Sequence, residues 1–445
     1  MKTKRNIINS NTITMTKTKE NSNIIAVITM IFLFGMISFV TNLAAPIGNI
    51  WKMQPGIEGS NTLGMMGNMM NFLAYAIMGI PAGNLLKKKG YKFTILAALL
   101  VGLLGVFVQF LSGIVGVGST IGSIPTNFFV YLLGAFICGF SVCMLNTVVN
   151  PMLKILGGKR SNQYIQIGGS FNSLMGTLTP MLVGSMIGTL THDTLISDVN
   201  TLLFMAMGVF AVAFVILLFV PIQNPEVKAV EGQVENPLKF KHFVLGAIAI
   251  FVYVGVEVGI PGTLNFYLSD PVKGAGMDPA SAVAIAGFVA GTYWFLMLVG
   301  RLVSSAISGK VSSRTQLTCV SAVALLLLVL AIFLGNASWV KMPVFTGSGF
   351  GMVQVPIAAL LLVLCGLCTS VMWGTIFDLS VEGLGSATER ASGIFMAMVV
   401  GGGIVPLLQN FIADKVNYMA SYWVLAICVA FILYFAVVGS KIKKA

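Results

Sequence analysis

Residues 243–268 read FVLGAIAIFVYVGVEVGIPGTLNFYL, an apolar stretch with a single ionisable side chain, Glu257, near its middle. About 20 apolar residues in a helix cover the ~30 Å hydrocarbon core of a bilayer, so this stretch is long enough to span a membrane. A carboxyl group at that depth is costly unless it faces protein or water. The stretch therefore predicts a transmembrane helix in which Glu257 serves a function.

The composition of the whole chain indicates an integral membrane protein with many spans. Of its 445 residues 57% are hydrophobic and only 9% are charged, whereas about 25% are charged in a soluble domain. The apolar runs are continuous rather than alternating, which excludes a closed β-barrel. We therefore predict an all-α fold with twelve spans, at 24–45, 62–84, 93–114, 127–153, 165–189, 200–223, 243–268, 282–306, 315–335, 353–381, 388–412 and 420–440.

The positions of the basic residues predict the orientation of these spans. With a cytoplasmic N-terminus, 22 of the 26 Lys and Arg residues fall on inner segments, and the outer loops hold only Lys52, Lys273, Lys341 and Lys415. Basic residues concentrate on the cytoplasmic side of membrane proteins. We therefore expect both termini to be cytoplasmic, and we interpret the net charge of +12 as a topology signal rather than as a sign of nucleic-acid binding.

A charged stretch divides the chain into two similar parts. We predict a disordered tail (1–23), a six-helix half (24–223), a cytoplasmic linker (224–242), a second six-helix half (243–440) and a short tail (441–445). Two halves around a central linker are typical of secondary transporters, whose binding sites lie near the midplane between the halves. The sequence lacks the phosphate-binding pattern GxxxxGK[ST], which argues against transport driven by ATP.

An enzyme is not expected. The only histidines, His192 and His242, lie in predicted loops, so no constellation of His, Asp and Glu is apparent for catalysis or metal binding. We expect no cofactor and no metal site. The lipid bilayer is the predicted surrounding, and we expect a monomer.

Several motifs resemble those of one transporter family. The loop between spans two and three reads PAGNLLKKKGYK (residues 81–92) and resembles the major facilitator superfamily loop in its variant PAGxLxxKxGYK. Further matches are LNTVVNP (145–151), SFNS (170–173), YVGVE (253–257), TIF (375–377) with GLG (383–385), and GGGIVPLLQ (401–409). Together they are similar to the fucose and glucose/galactose permease family of sugar–cation symporters, from about helix 1 to helix 12.

The resemblance implies a twelve-helix major facilitator fold in a bacterial inner membrane. It also implies the import of a monosaccharide, a hexose such as glucose, galactose or fucose, by alternating access with a proton as the coupling ion. The proton-coupled fucose branch carries acids in helices 1 and 4, where this chain has Ala44-Ala45 and Asn146. Sodium is therefore an alternative coupling ion. An exporter, or a transporter of a drug or another small polar metabolite, is the alternative function.

Sugar hydroxyls both donate and accept hydrogen bonds, so a sugar site needs amides, carboxylates and aromatic faces. For the amides, the alternative is that they join helices to one another; for the tryptophans, it is packing in the core or against lipid. Our candidates for substrate binding are Asn42, Asn71, Asn146, Gln166, Asn172, Glu257, Trp294 and Trp373.

Charged residues supply the candidates for coupling and gating. Glu257 could bond the sugar, exchange a proton or help to bind Na⁺, and Asp378 is a second candidate for ion coupling. Asp378 and Glu382 stand four residues apart near the inner end of helix 10, where two like charges repel unless cations lie nearby. We therefore predict a cytoplasmic gate formed by Lys87, Arg160, Arg301, Asp378 and Glu382.

Overall fold

The computed structural model describes residues 24–442 apart from 158–160, 188–189, 192, 221, 223–235, 308–309, 347–348 and 385–387. Within these residues, ten helices are long and apolar enough to cross a membrane. The predicted N-terminal tail (1–23), residues 443–445 of the predicted C-terminal tail (441–445) and most of the predicted linker lie outside the described residues. The boundaries of the two halves remain predictions.

The helices are numbered here by span. The first half contains α1 (Ile24–Trp51), α2 and α3 (together Met66–Leu111), α4 (Thr126–Gly157), α5 (Ser161–Ile187) and α6 (Asn200–Phe219). The second half contains α7 (Lys241–Ser269), α8 (Ala282–Ile307), α9 (Ser313–Leu334), α10 (Ile357–Val381), α11 (Thr388–Met398 and Gly401–Lys415) and α12 (Tyr418–Tyr434). Two antiparallel hairpins join helices, namely β1 (Thr120–Ile121) with β2 (Ile124–Pro125), and β3 (Trp339–Phe345) with β4 (Phe350–Pro356).

Two observations raise the ten spans to the twelve that were predicted. Met66–Leu111 consists of two spans that meet at Gly90, where φ is +82°, a backbone conformation that glycine adopts at little cost. The helix α5 has 27 residues and is long enough to span, but it is less apolar than the others because Ser, Thr and Asn recur along it. The predicted all-α, twelve-helix fold is therefore confirmed.

The predicted span at 353–381 begins too early. Residues 350–356 form β4, which pairs with β3 from Trp339↔Pro356 to Phe345↔Phe350, so that α10 begins at Ile357. The physical reason is Pro356, because the residue before a proline is disfavoured in a helix and β-branched residues such as Val353 and Val355 suit a strand. The hairpin lies along α8, where the N–H of Phe345 donates to Thr292 Oγ1 at 3.0 Å.

The two halves touch where small residues allow close approach. A Cβ added at Gly287 of α8 would lie 2.6 Å from the carbonyl oxygen of Pro180 in α5. A second contact joins α2 to α11, where Asn68 Nδ2 donates to the carbonyl oxygen of Gly402 at 2.8 Å. Glycines give membrane helices this close packing. The cleft between the halves is therefore bounded by α5 with α8 on one side and by α2 with α11 on the other.

We predict that Gly287→Ala destabilises the fold, because its methyl group would overlap the main chain of α5. The expected loss is about 1–3 kcal/mol, as for other overpacked sites. Gly208→Ala in α6 is the matched control, since nothing lies within 4 Å of its added Cβ. Thermal unfolding of both variants in detergent measures the difference, and equal midpoints would contradict this packing.

Candidate functional site

Glu257 is not alone in the interior. Its Oε1 accepts a hydrogen bond from the hydroxyl of Tyr253 at 2.9 Å and lies 3.6 Å from Nη2 of Arg301. Tyr253 precedes it by four residues and therefore shares its face of α7. Both members of the ion pair are largely buried, with side chains 14% (Glu257) and 15% (Arg301) exposed. The acid predicted to be functional is therefore held by a phenol and a guanidinium.

Arg301 extends this cluster to the first half. Its Nη1 donates to the carbonyl oxygen of Gly169 at 2.6 Å and to Ser173 Oγ at 2.9 Å, both on α5. The sequence pointed to Arg301 as a gating residue but did not reveal that Glu257 is its partner. One side chain thus joins the acid on α7 to the main chain of the opposite half. A change in the charge of Glu257 would be felt directly at the contact between the halves.

Trp373 of α10 lies near Tyr253, the hydrogen-bond partner of Glu257. The ring centroid of Trp373 lies 6.2 Å from that of Tyr253. The carbonyl oxygen of Thr369 lies 3.2 Å from the Tyr253 hydroxyl and is an alternative acceptor for its one proton. The other candidate, Trp294, is 6% exposed and lies against Gly176 of α5. Trp373 therefore lies near Tyr253 and is partly accessible, whereas Trp294 packs between the halves.

Two amides of the first half meet around a tyrosine. Asn146 Nδ2 of α4 donates to the hydroxyl of Tyr75 of α2 at 2.6 Å. Asn71 stands one turn before Tyr75, and its buried Oδ1 has no hydrogen-bond partner among the described residues. Leaving a buried acceptor unpaired is unfavourable. The Asn71 oxygen is therefore available for a donor from a bound molecule.

The remaining amide candidates bond within the first half. Asn42 Nδ2 donates to the carbonyl oxygen and hydroxyl of Ser38 in its own helix, at 2.9 and 3.2 Å. Asn172 Nδ2 donates to the carbonyl oxygen of Phe34 at 2.9 Å, which ties α5 to α1. The Asn172 contact matches the alternative in which amides join helices, whereas the contacts of Asn42 stay within α1. The side chain of Gln166 lies outside the described part of the chain.

Three of the predicted gate residues, Lys87, Asp378 and Glu382, lie toward the end of the bundle opposite Lys52. Asp378 Oδ2 accepts from Ser313 Oγ at 2.6 Å, within the second half. Glu382 and Lys87 are exposed, and the main-chain carbonyl of Glu382 contacts Nε2 of His242 at 2.9 Å. Arg160 lies outside the described residues. The gate remains a prediction, since Arg301 binds Glu257 and α5 in this conformation.

A second buried ion pair, which the sequence reasoning missed, lies at the other end of the bundle. Lys52 Nζ is 2.5 Å from Asn61 Oδ1, 3.1 Å from the Tyr418 hydroxyl and 3.5 Å from Asp270 Oδ2. Lys52 is 3% exposed. Lys52 and Asn61 belong to the first half, whereas Asp270 and Tyr418 belong to the second. With Asp414 of α11, these residues form what we call the Lys52 network.

Asp414 adds a reciprocal contact between the halves. Its carboxylate accepts hydrogen bonds from the N–H groups of Asn61 (2.7 Å) and Thr62 (2.8 Å) and from the Thr62 hydroxyl (2.6 Å). These N–H groups begin a short helix, Asn61–Gly64, where a negative charge is favourable. Asn49 Nδ2 donates to Asn265 Oδ1 one turn deeper, at 2.6 Å. The Lys52 end of the bundle is therefore closed.

The network controls the charges of its own members. Burial lowers the pKa of Lys52 to about 8, although Asp270 and Asp414 act in the opposite direction. Burial raises the pKa of Asp270, but Lys52, the N–H of Lys273 and the Tyr418 hydroxyl outweigh it, so that this pKa lies below its usual value. Both groups are therefore charged at neutral pH. One signal was visible in the sequence, because Lys52 and Asp270 directly follow α1 and α7, the first helices of the two halves.

The fold and the paired halves match a known family of transporters. The family model described as Major Facilitator Superfamily matches residues 25–399. The chain belongs to the major facilitator superfamily. The twelve spans are thus those of a membrane transporter family, and the resemblance inferred from the motifs is confirmed.

Curated relatives cover most of this superfamily member. A "Glucose/galactose transporter" of Brucella abortus biovar 1 (strain 9-941) is 29% identical over 422 residues, which cover 93% of this chain and 92% of the relative. A "Putative glucose/galactose transporter" of Helicobacter pylori (strain J99) is 26% identical, covering 96% and 99%. An "L-fucose-proton symporter" of Escherichia coli (strain K12) is 23% identical, covering 82% of each.

Solved structures show the same fold. The E. coli fucose:proton symporter FucP in the outward conformation superimposes with a TM-score of 0.64 at 21% identity, covering 93% of this chain and 98% of that one. A D-xylose-proton symporter superimposes with a TM-score of 0.63 at 14% identity, covering 95% and 100%. At these identities the likeness establishes the major facilitator fold of this chain.

We predict that Glu257→Gln and Arg301→Gln are not additive in stability. Each alone leaves one charge of a largely buried pair without its partner, whereas the double variant removes both charges. We expect a coupling free energy of about 1–2 kcal/mol, measured by denaturant unfolding in detergent. As a control, Glu257→Gln combined with Lys87→Gln, which removes an exposed charge, should be additive. Additivity of the Glu257 and Arg301 changes would contradict the pairing.

Proposed function

We propose that this chain is a secondary active transporter that imports a monosaccharide, a hexose such as glucose, galactose or fucose, together with a cation. The observation that carries the proposal is the cluster of Tyr253, Glu257 and Arg301, which places an ionisable acid inside the bundle and links it to the opposite half. The relatives named as glucose/galactose transporters and as a fucose–proton symporter support the substrate class.

Glu257 is the proposed coupling residue. As a carboxylate it attracts Arg301, whose guanidinium also holds the main chain of α5. Protonation would remove the negative charge and leave Arg301 bound to α5 alone. The proton would thereby alter the relative energies of two arrangements of the halves, which is the requirement for coupling ion movement to a conformational change.

The surroundings of Glu257 favour a proton over sodium. A sodium site needs several oxygen ligands around the ion, whereas here a guanidinium lies 3.6 Å from the carboxylate. A fixed positive charge at that distance opposes a second cation. A proton, in contrast, neutralises the carboxylate itself. We therefore propose proton coupling, with sodium as the alternative to be tested and Asp378 as the next candidate residue.

The proposed sugar site lies between the Glu257 cluster and the first-half amides. Asn71 offers an acceptor that has no partner among the described residues, and Asn146 with Tyr75 offers a pair of groups that can donate and accept. Trp373 offers a partly accessible ring for the C–H face of a sugar. These groups supply the mixture of hydrogen bonds and aromatic contact that a sugar requires.

The proposal also includes the setting of the transporter. It places the chain in a bacterial inner membrane as a monomer with both termini in the cytoplasm. The Lys52 end then faces outward, so the structure corresponds to a carrier that is closed to the outside. An exporter on the same fold, carrying a drug or another small polar metabolite, is the alternative function.

Uptake into proteoliposomes tests the proposal. A panel of labelled monosaccharides is offered under an imposed proton gradient and, separately, under a sodium gradient. We expect accumulation of at least one hexose, driven by the proton gradient. No uptake of any sugar under either gradient would contradict the importer and favour the exporter.

Glu257→Gln tests the coupling residue in the same assay. We expect this variant to retain sugar exchange but to lose accumulation, because a neutral side chain binds no proton. Asp378→Asn tests the second coupling candidate in the same assay and should still accumulate sugar if Glu257 carries the coupling proton. Full accumulation by Glu257→Gln would assign coupling to another residue, and loss of accumulation by Asp378→Asn would point to that one.

We further predict that Asn71→Ala weakens sugar binding about tenfold, the effect of losing one hydrogen bond of about 1.4 kcal/mol. The concentration dependence of exchange measures the change. Asn42→Ala is the control, because Ser38 already satisfies the Asn42 amide within its own helix. Equal half-saturation concentrations for both variants and the parent would remove Asn71 from the site.

A further inference from the structure

We infer that the oxygen atoms around Lys52 form a site for a monovalent cation, which the ammonium of Lys52 fills whenever the Lys52 end of the bundle closes. The site would take an alkali-metal ion or a small ammonium ion. In the parent protein the ammonium group of Lys52 occupies it. This inference concerns a different place from Glu257 and the proposed sugar site. It does not depend on which substrate is carried.

The geometry around the Lys52 ammonium is that of a cation site. Oxygens from three side chains converge on Nζ at 2.5, 3.1 and 3.5 Å, namely Asn61 Oδ1, the Tyr418 hydroxyl and Asp270 Oδ2. The ring of Phe266 lies beneath it, with its centroid 4.6 Å from Nζ. Oxygen ligands and an aromatic face both attract cations. The ammonium group of Lys52 occupies this site as the bound cation, and the oxygens and the ring of Phe266 bind it.

The hydrogen bonds among the other members leave room for a positive charge. The Tyr418 hydroxyl lies 2.7 Å from both Asn61 Oδ1 and Asp270 Oδ2, but its one proton serves only one of them at a time. The second acceptor therefore needs a donor or a cation. Asp414 adds negative charge near Lys52 and favours its charged form. The positive charge of Lys273 acts in the opposite direction and lowers the pKa of Lys52. Without Lys52, the carboxylate of Asp270 would lose the ammonium that lies 3.5 Å from its Oδ2.

The site is divided between the halves, which makes it depend on conformation. Lys52 and Asn61 belong to the first half, whereas Asp270, Tyr418 and Phe266 belong to the second. When the halves separate at this end, the ammonium leaves Asp270 and meets solvent. When they close, it returns on its own side chain. Closure therefore needs no cation from solution in the parent protein.

A truncated lysine should convert the built-in cation into a requirement for a dissolved one. Lys52→Ala removes the ammonium and leaves space beside Asn61, Asp270 and Tyr418. Lys52→Met also removes the charge, but its side chain fills much of that space. The two variants therefore separate the need for a cation from the need for volume.

The test measures opening of the Lys52 end by cysteine labelling, which requires no substrate. The six native cysteines are replaced, and Ala45→Cys is added on α1, where Ala45 faces Gly262 of α7 below the network. A membrane-impermeant maleimide is applied only from the side that the Lys52 end faces, so that the labelling rate reports opening of that end. Chloride salts of choline, sodium and methylammonium are compared at equal ionic strength.

In choline we expect Lys52→Ala to label about tenfold faster than the parent, which corresponds to a shift in the closing equilibrium of about 1.4 kcal/mol. Sodium or methylammonium should restore slow labelling in this variant. Lys52→Met should label rapidly in every salt. The parent should label slowly in every salt, because its cation is built in.

A double variant without the ion pair is the control. Lys52→Met with Asp270→Asn removes both charges, so it should label slowly without any added cation; this result also shows that the altered bundle folds. Rapid labelling of Lys52→Ala that no cation slows would overturn the inference and leave a simple ion pair. Slow labelling of Lys52→Ala in choline would also overturn it, because closure would then not depend on a cation.

Discussion

The cost of placing a charge inside a membrane protein governs this structure. Each buried charge needs partners, because an unpaired one is far less stable there than in water. Glu257 finds Tyr253 and Arg301, and Lys52 finds Asp270. Both clusters reach across the boundary between the two halves. Because each buried charge needs a partner, these few charges also form contacts between the two halves.

The two clusters lie at different depths and act differently. The Lys52 network closes one end of the bundle with carboxylates from the second half and donors from the first. The Glu257 cluster lies near the middle of α7, whereas Asp270 follows the end of that helix. Arg301 links the Glu257 cluster to α5. A proton on Glu257 would weaken its ion pair with Arg301 and leave the Lys52 network unchanged. An alternating-access carrier needs contacts between its halves that can change independently in this way.

Glycines and short side chains set the distance between the halves at which these contacts are possible. Gly287 against Pro180 and Asn68 against Gly402 bring helices of opposite halves to main-chain contact. A larger residue at the first position would push α8 away from α5, and Arg301 on α8 would then lose its partners on α5. Packing and electrostatics are therefore coupled through the α5–α8 contact.

Sequence alone determined the twelve spans, because hydropathy is a property of local sequence. It also predicted the boundaries of the halves and a role for Glu257, since an acid within an apolar stretch is rare. It also offered Asn71, Asn146 and Trp373 as candidates. Only the tertiary structure paired Glu257 with Arg301, turned residues 350–356 into a strand, and joined Lys52 to Tyr418 across 366 residues. Such partners depend on how helices pack in three dimensions, which no local pattern specifies.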